Sequence, residues 1–337
     1  MKTRPCLLLL LLMCPAVLAA QQKTGSPLQD LPDNIDVLTH FGERADFSPD
    51  NQSVAFMAKS FGDAFTIDLK TRVIRCLTCG VPGAAFLRVI HLSTGDYLLI
   101  GAERFTDIRT SRGRDNELWL LSKAPGSKPV RLNQKMSEGA AISKSSLLIA
   151  FSETSGQNPD LAQGASRLVV AEVDLAGPTL KAKRTVLESP DNRCTLEAQD
   201  FFDSDTKLTY TCYEPEGRAS VWAIDLKTGQ SMNHSKSIGG YNEVEGIFPD
   251  GKYTCVESDR QAVLQGRPGL FRNIDIWKLR LDGTGQDFTR LTRFNDYVGG
   301  KASNPVVSTD GRYMAFQLAN TADEAGVGYG ILLYTLK

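Results

Sequence analysis

A chain of 337 residues that is 42% hydrophobic and 23% charged has the composition of a folded globular protein with a sizeable core. Its formal charge of −1, with no concentrated basic run, argues against nucleic acid or a membrane surface as a partner. No stretch beyond the first twenty residues is apolar for long enough to span a bilayer.

The first element, MKTRPCLLLLLLMCPAVLAA, has cations at Lys2 and Arg4, an apolar run from Leu7 to Met13 and a small-residue end at Val17-Leu18-Ala19. These are the parts of a secretory signal peptide, cut after Ala19 or Ala20. Residues 1–20 are assigned to the signal, 21–33 to a flexible lead-in and 34–337 to one domain. The mature protein is expected to be secreted, or periplasmic in a bacterial host, and monomeric. Two sequons, at Asn51 and Asn233, would be glycosylation acceptors in a eukaryotic host.

A ten-residue pattern then recurs six times: FSPDNQSVAF at 47, HLSTGDYLLI at 91, ISKSSLLIAF at 142, FFDSDTKLTY at 201, IFPDGKYTCV at 247 and VSTDGRYMAF at 307. Each joins an apolar residue or His to a Ser/Thr/Asp/Pro/Gly turn and then to an alternating strand, which predicts a tight hairpin. A third strand follows each hairpin, and Trp119, Trp222 and Trp277 occupy the same slot of it. Fourth strands follow as VIRCL, PVRL, RTVL and TRLTRF, with a fainter candidate in the fourth unit and none after the sixth. Val37-Leu38-Thr39-His40-Phe41 matches Arg290-Leu291-Thr292-Arg293-Phe294, so the N-terminal strand is expected to complete the last unit. Six four-stranded units predict an all-β, six-bladed β-propeller closed by its own N-terminus, with no exposed edge.

The FSPDN, IFPDG and VSTDG turns resemble the Asp-Gly hairpins of TolB-like, WD40-like propellers over residues 34–337. A shorter likeness, CLTCGVP at 76–82, is similar to a segment of exported fungal saponin hydrolases. That second resemblance implies hydrolysis of a glycoside.

In a propeller the loops between second and third strands open on the face that also admits the inner strands. They are short in blades 1 (Ala58–Asp63) and 4 (Glu214–Ala219). They are long in blades 2 (Ala102–Asn116), 3 (Glu153–Ser166), 5 (Ser258–Ile274) and 6 (Asn320–Tyr329), enough to wall a cleft. Four positions before each repeat stand Glu43, Leu87, Glu138, Glu197, Glu243 and Ser303, with Glu245 close by. Arg44, Arg88 and Asn304 follow one position on. The symmetry would gather these carboxylates at the channel mouth. There they would pair with arginines, hold a hard cation such as Ca²⁺, or act as acid and base on a glycosidic bond. Arg104 and Asp259-Arg260-Gln261 begin long loops and are expected to contact a ligand. That ligand would be a small molecule, a glycan or another exported protein.

Other chemistry has less support. The three histidines, His40, His91 and His234, cannot form a metal cluster of the kind oligogalacturonate lyases use, and His91 takes an apolar slot of the repeat. No Gly-x-Ser-x-Gly elbow is present. Gly326–Gly330 reads as a surface loop and not a phosphate loop. Among five cysteines after the signal, Cys76-x-x-Cys79 reads as a disulfide, with zinc or redox roles open. Cys194 and Cys212 flank one hairpin as a second pair, leaving Cys255 free.

Overall fold

The computed structural model describes residues 21–83, 85–236, 240–267, 269–323 and 327–336; the expected signal peptide lies outside them. Six four-stranded antiparallel sheets form a six-bladed propeller. From the inner strand outward, blade 1 holds Glu43–Phe47, Ser53–Met57, Ala64–Asp68 and Ile74–Cys76. Blades 2 to 5 repeat this order, with inner strands Phe86–His91, Ala140–Ile142, Thr195–Phe202 and Asn242–Ile247. Blade 6 runs Gly300–Val307, Tyr313–Asn320 and Ile331–Thr335, and Ile35–Val37 adds its outer strand. The fourth unit has its outer strand at Ser231–Asn233.

The hairpin turns follow the chemistry of their residues. In the last copy Ser308 N–H donates to Tyr313 O at 2.9 Å and Gly311 N–H to Ser308 O at 2.9 Å. Gly311 has φ +70°, and Asn51, Gly95, Asp205 and Gly251 hold the same slot at positive φ in other blades. Gly, Asn and Asp tolerate this conformation best. The closing strand is offset from the expected Val37–Phe41. Ile35 pairs with Tyr334 and Val37 with Leu332. Beyond Val37, Leu38 and Thr39 N–H both reach Ile331 O, and Thr39 Oγ1 accepts Ile331 N–H at 3.0 Å. Leu291 and Thr292 do the same to Ile276 in blade 5. The matching residues therefore mark where a blade ends and not the strand itself. Leu77-Thr78 repeats the device, with Thr78 Oγ1 accepting Ala64 N–H at 2.9 Å, so CLTC contains a blade-exit cap.

Each of the six seams between blades buries its own apolar cluster. Phe56, Phe151 and Phe316 close their repeats and are fully buried. Such residues each stabilise a core by about 3–5 kcal/mol relative to Ala. His91 is buried as its slot predicts, and its Nδ1 lies 2.9 Å from Asp46 Oδ2. Among the described residues the helical turns are short and sit in loops or the lead-in, as at Ile108–Thr110 and Arg260–Leu264. The lead-in runs along blade 6, where Lys23 N–H donates to Asp296 O at 2.7 Å.

Candidate functional site

Inner strands carry the channel residues, and five of the six are bulged at that point. The pairing slips between Glu43 and Asp46, Phe86 and Arg88, Ala198 and Asp200, Val244 and Ile247, and Ser303 and Val306. A bulge re-aims side chains locally. Arg44 and Asn304 sit in two of these bulges with φ +56° and +48°. That conformation is costly for arginine. It is held because Arg44 N–H donates to Gln317 Oε1 at 2.8 Å.

This bond belongs to a recurring stitch. In four blades the side chain of the residue after the ten-residue repeat reaches the inner strand of the next blade. Ser152 Oγ accepts Ala198 N–H at 2.8 Å, Thr211 Oγ1 accepts Val244 N–H at 3.1 Å, and Glu257 accepts Asn304 N–H. Met57 and Gly101 hold the slot in blades 1 and 2 and have no side-chain acceptor of this kind.

Over the channel mouth lies a cleft of about 800 Å³. Its floor includes Arg44, Glu138, Glu197, Glu243, Glu257 and Asn304, and its walls include Tyr213, Tyr241, Phe271 and Lys301. The five predicted carboxylates lie at different depths around the channel. Glu138, Glu197 and Glu243 face the cleft, while Glu245 lines a smaller cavity below with Arg44 and Arg88. Glu43 is buried beside them, accepts Ser60 Oγ at 2.6 Å and faces neither cavity.

The loops share the work unevenly. The blade 2 loop contributes Ile108, Arg109 and Arg112, and the blade 5 loop contributes Phe271. The short blade 4 loop supplies Arg218, against the expectation from length. The long blade 3 loop lies behind: Gln157 Nε2 donates to Arg112 O at 3.2 Å, and Gly156 packs against Gly113 O so closely that a Cβ would collide. It supports the blade 2 loop and does not line the cleft. Residues 324–326 of the blade 6 loop are outside the described ones.

Four expected ligand contacts are elsewhere. Asp259 is fully buried and accepts the N–H groups of Gly240, Tyr241 and Leu270, which organises its loop. Gln261 bonds Trp277 Nε1 and Asn273 O. Arg260 stacks over Phe288, 4.5 Å from the ring centroid. Arg104 is exposed outside the lining. Of the sequons, Asn51 Nδ2 donates to Thr309 Oγ1 at 2.8 Å, and Ser235, beside Asn233, is buried as a blade-exit cap accepting Val221 N–H at 3.1 Å.

Electrostatics divides the carboxylates into two kinds. Burial opposes the charge on Glu138, but the Arg112, Arg44 and Arg88 guanidiniums together hold its pKa at about 2. Arg112 bonds it directly and Arg44 Nη1 lies at 3.8 Å. Glu197 is pushed up to about 8 by burial and by the charges of Glu138 and Glu243, with Arg88 a modest counterweight. Burial and Glu243 raise Glu257 to about 7, and burial with Glu243 and Glu257 holds Glu245 well above the usual carboxylate range. Tyr213 and Tyr241 hydroxyls both donate to Glu243. Carboxyl oxygens of Glu243, Glu245 and Glu257 lie within 4.8 Å of one another. Among the described residues no cation lies within 4 Å of these three. Arg44, only 6% exposed, has Nε and Nη1 without a hydrogen-bond acceptor among the described residues, with Glu43 Oε1 at 3.6 Å from Nε.

Sequence reasoning missed Arg112, Tyr213, Tyr241 and Glu257. Glu257 was readable, since it occupies the eleventh position of a repeat whose other copies carry Met, Gly, Ser, Thr and Gln. The others lie on loops or loop margins, outside the repeat's register.

Both expected disulfides are present, Cys76–Cys79 and Cys194–Cys212, and Cys255 is free and buried. No helix among the described residues is long and apolar enough to cross a membrane. No family model matches the chain, and no curated protein matches it in sequence. Solved structures do match in fold. A putative TolB from Agrobacterium tumefaciens is 15% identical with a TM-score of 0.53, over 80% of this chain and 96% of that one. A calcium-binding protein, regucalcin, from the same species is 11% identical with a TM-score of 0.53, over 89% and 94%. At these identities the likeness is one of fold: a TolB-like propeller architecture.

Proposed function

We propose that the channel-mouth cleft binds a hydroxyl-rich small molecule, a glycan, in an exported protein. The observation that carries this reading is Arg44, a buried guanidinium at the cleft floor whose Nε and Nη1 face Glu43 and Glu138 only at ion-pair distances of 3.6 and 3.8 Å and make no hydrogen bond among the described residues. Buried polar groups are normally satisfied, so a ligand oxygen is the natural partner. Glu197, Glu243 and Asn304 add acceptors and donors for hydroxyl groups, and Tyr213, Tyr241 and Phe271 offer flat faces to a sugar ring. Export agrees with the paired cysteines, which an oxidising compartment maintains.

The trio Glu243, Glu245 and Glu257 fits a hard cation in donor type and spacing, with Asn304 close by. Ca²⁺ takes six to eight oxygens, so ligand hydroxyls would complete its shell and strengthen sugar binding.

A second reading is glycoside hydrolysis, favoured by one contrast: Glu197 keeps its proton at neutral pH while Glu138 in the same cleft stays ionised. A protonated acid beside a charged carboxylate is the arrangement glycosidic cleavage uses. Glu197 would protonate the leaving oxygen and Glu138 would activate water or attack.

A glycan microarray probed with the mature protein, with and without Ca²⁺, tests the first reading. Saturable binding by the wild type and its loss in Arg44→Gln are expected; absence of any bound glycan would reject it. Release of sugar from array hits, abolished in Glu197→Gln, would identify the hydrolase.

A further inference from the structure

The pair Cys76–Cys79 lies on the same face as the cleft, at the outer end of blade 1, and takes no part in the reading above. Its surroundings differ from those of Cys194–Cys212, whose Cys212 is only 5% exposed within a strand. Cys79 is exposed and Cys76 half-buried. The backbone N–H of Cys79 donates to Cys76 Sγ at 3.0 Å. The carboxylate of Asp63, oriented by Thr78 Oγ1 at 2.7 Å, lies within 4.8 Å of both sulfurs. The Leu77-Thr78 cap fixes the intervening residues to the blade, so the two sulfurs stay adjacent whether bonded or not.

We propose that Cys76–Cys79 is a thiol–disulfide exchange site for small thiols, with Asp63 as its proton acceptor. An incoming thiolate attacks the exposed Cys79 Sγ; a new S–S bond forms there as the Cys76–Cys79 bond breaks, and the electron pair leaves on Cys76 Sγ. The Cys79 N–H stabilises that thiolate, which then takes a proton from solvent. A second thiolate attacks the thiol-derived sulfur of the mixed disulfide, releasing Cys79 as thiolate and the thiol's own disulfide. The protein gains two electrons and two small thiols are oxidised to one disulfide. In the reverse direction Asp63 removes the proton from Cys76 as the protein pair closes again. A ring closed over so few residues also gains little from chain entropy, so exchange costs the fold little.

Glutathione is the probe. The folded, oxidised chain is incubated at graded ratios of reduced to oxidised glutathione, quenched by alkylation and mapped by peptide mass. The Cys76/Cys79 peptide should become dithiol at ratios that leave Cys194–Cys212 intact, and Cys76→Ser should carry glutathione on Cys79. Asp63→Asn, folded by circular dichroism, should reoxidise about tenfold more slowly, as loss of a positioned base does. Reduction of both pairs in parallel, or only on denaturation, would overturn the site, and an unchanged or faster rate in Asp63→Asn would overturn the role given to Asp63.

Discussion

Glu257 accepts the backbone N–H of Asn304 across the seam between blades 5 and 6, as Gln317 does for Arg44 across the next seam. A neutral amide is enough for this bond, so the charge of Glu257 is not required to hold the ring together. It sits instead in the carboxylate trio that reaches from the cleft floor to the cavity below. Glu257→Gln should therefore keep the fold and the melting temperature, or raise it, while Ca²⁺ no longer stabilises the protein. Thermal melts with and without Ca²⁺ measure both.

The divided carboxylates give stability a defined pH dependence. In an unfolded chain a glutamate ionises at about 4.3. Glu197 and Glu257 titrate in the fold at about 8 and about 7. Between these limits the folded state holds more protons than the unfolded one, so stability falls as pH rises from about 4 to about 8. Glu138, at about 2, acts oppositely: its contribution is present above its unfolded value and is lost as pH falls towards 2. Melting temperature should peak near the ordinary carboxylate range, and Glu197→Gln should flatten the decline above it.

Glu138 also neutralises Arg112 and Arg44. Its conversion to Gln leaves Arg112 without a counter-ion and the buried Arg44 with Glu43 alone at 3.6 Å, which costs on the order of 3 kcal/mol. Urea denaturation should show a lower midpoint with an unchanged slope, because the exposed surface is the same.

Thr292 ends blade 5 by accepting Ile276 N–H at 2.9 Å and donating to Asp275 Oδ1 at 2.9 Å. Thr292→Val retains the volume but orphans the Ile276 N–H and removes one of the donors to Asp275 Oδ1, at about 1–3 kcal/mol. Chemical denaturation of this variant should show that loss, and Thr292→Ser should recover most of it.

The blades were legible in the sequence because turn residues and strand alternation are local. Asn51, Gly251 and Gly311 announce their hairpins by the backbone each must adopt. The glutamate ring was legible because Glu43, Glu138, Glu197 and Glu243 share one offset from the repeat. What was not legible depends on bulges and on loop packing. A one-residue bulge turns Glu245 below Glu243 and leaves Glu43 buried beside Ser60. Loop length misjudged blade 3, whose loop spends its residues supporting Arg112 from behind. Asp259 and Gln261 looked like ligand contacts, but a loop of that length needs internal partners for its own backbone: Asp259 accepts its N–H groups and Gln261 donates to Asn273 O.

The central claim is that one channel mouth holds both a permanently ionised and a proton-bearing glutamate around a ligand-accepting arginine. Carbon-13 NMR of glutamate-labelled protein, titrated from pH 3 to pH 9, measures this directly, with Glu138→Gln and Glu197→Gln assigning the two resonances. The expected result is one carboxyl that stays ionised to the acid end, one that titrates near 8, and a shift of the second when a bound glycan is added. If all glutamates titrate together near their ordinary value, and no glycan moves them, the account is wrong.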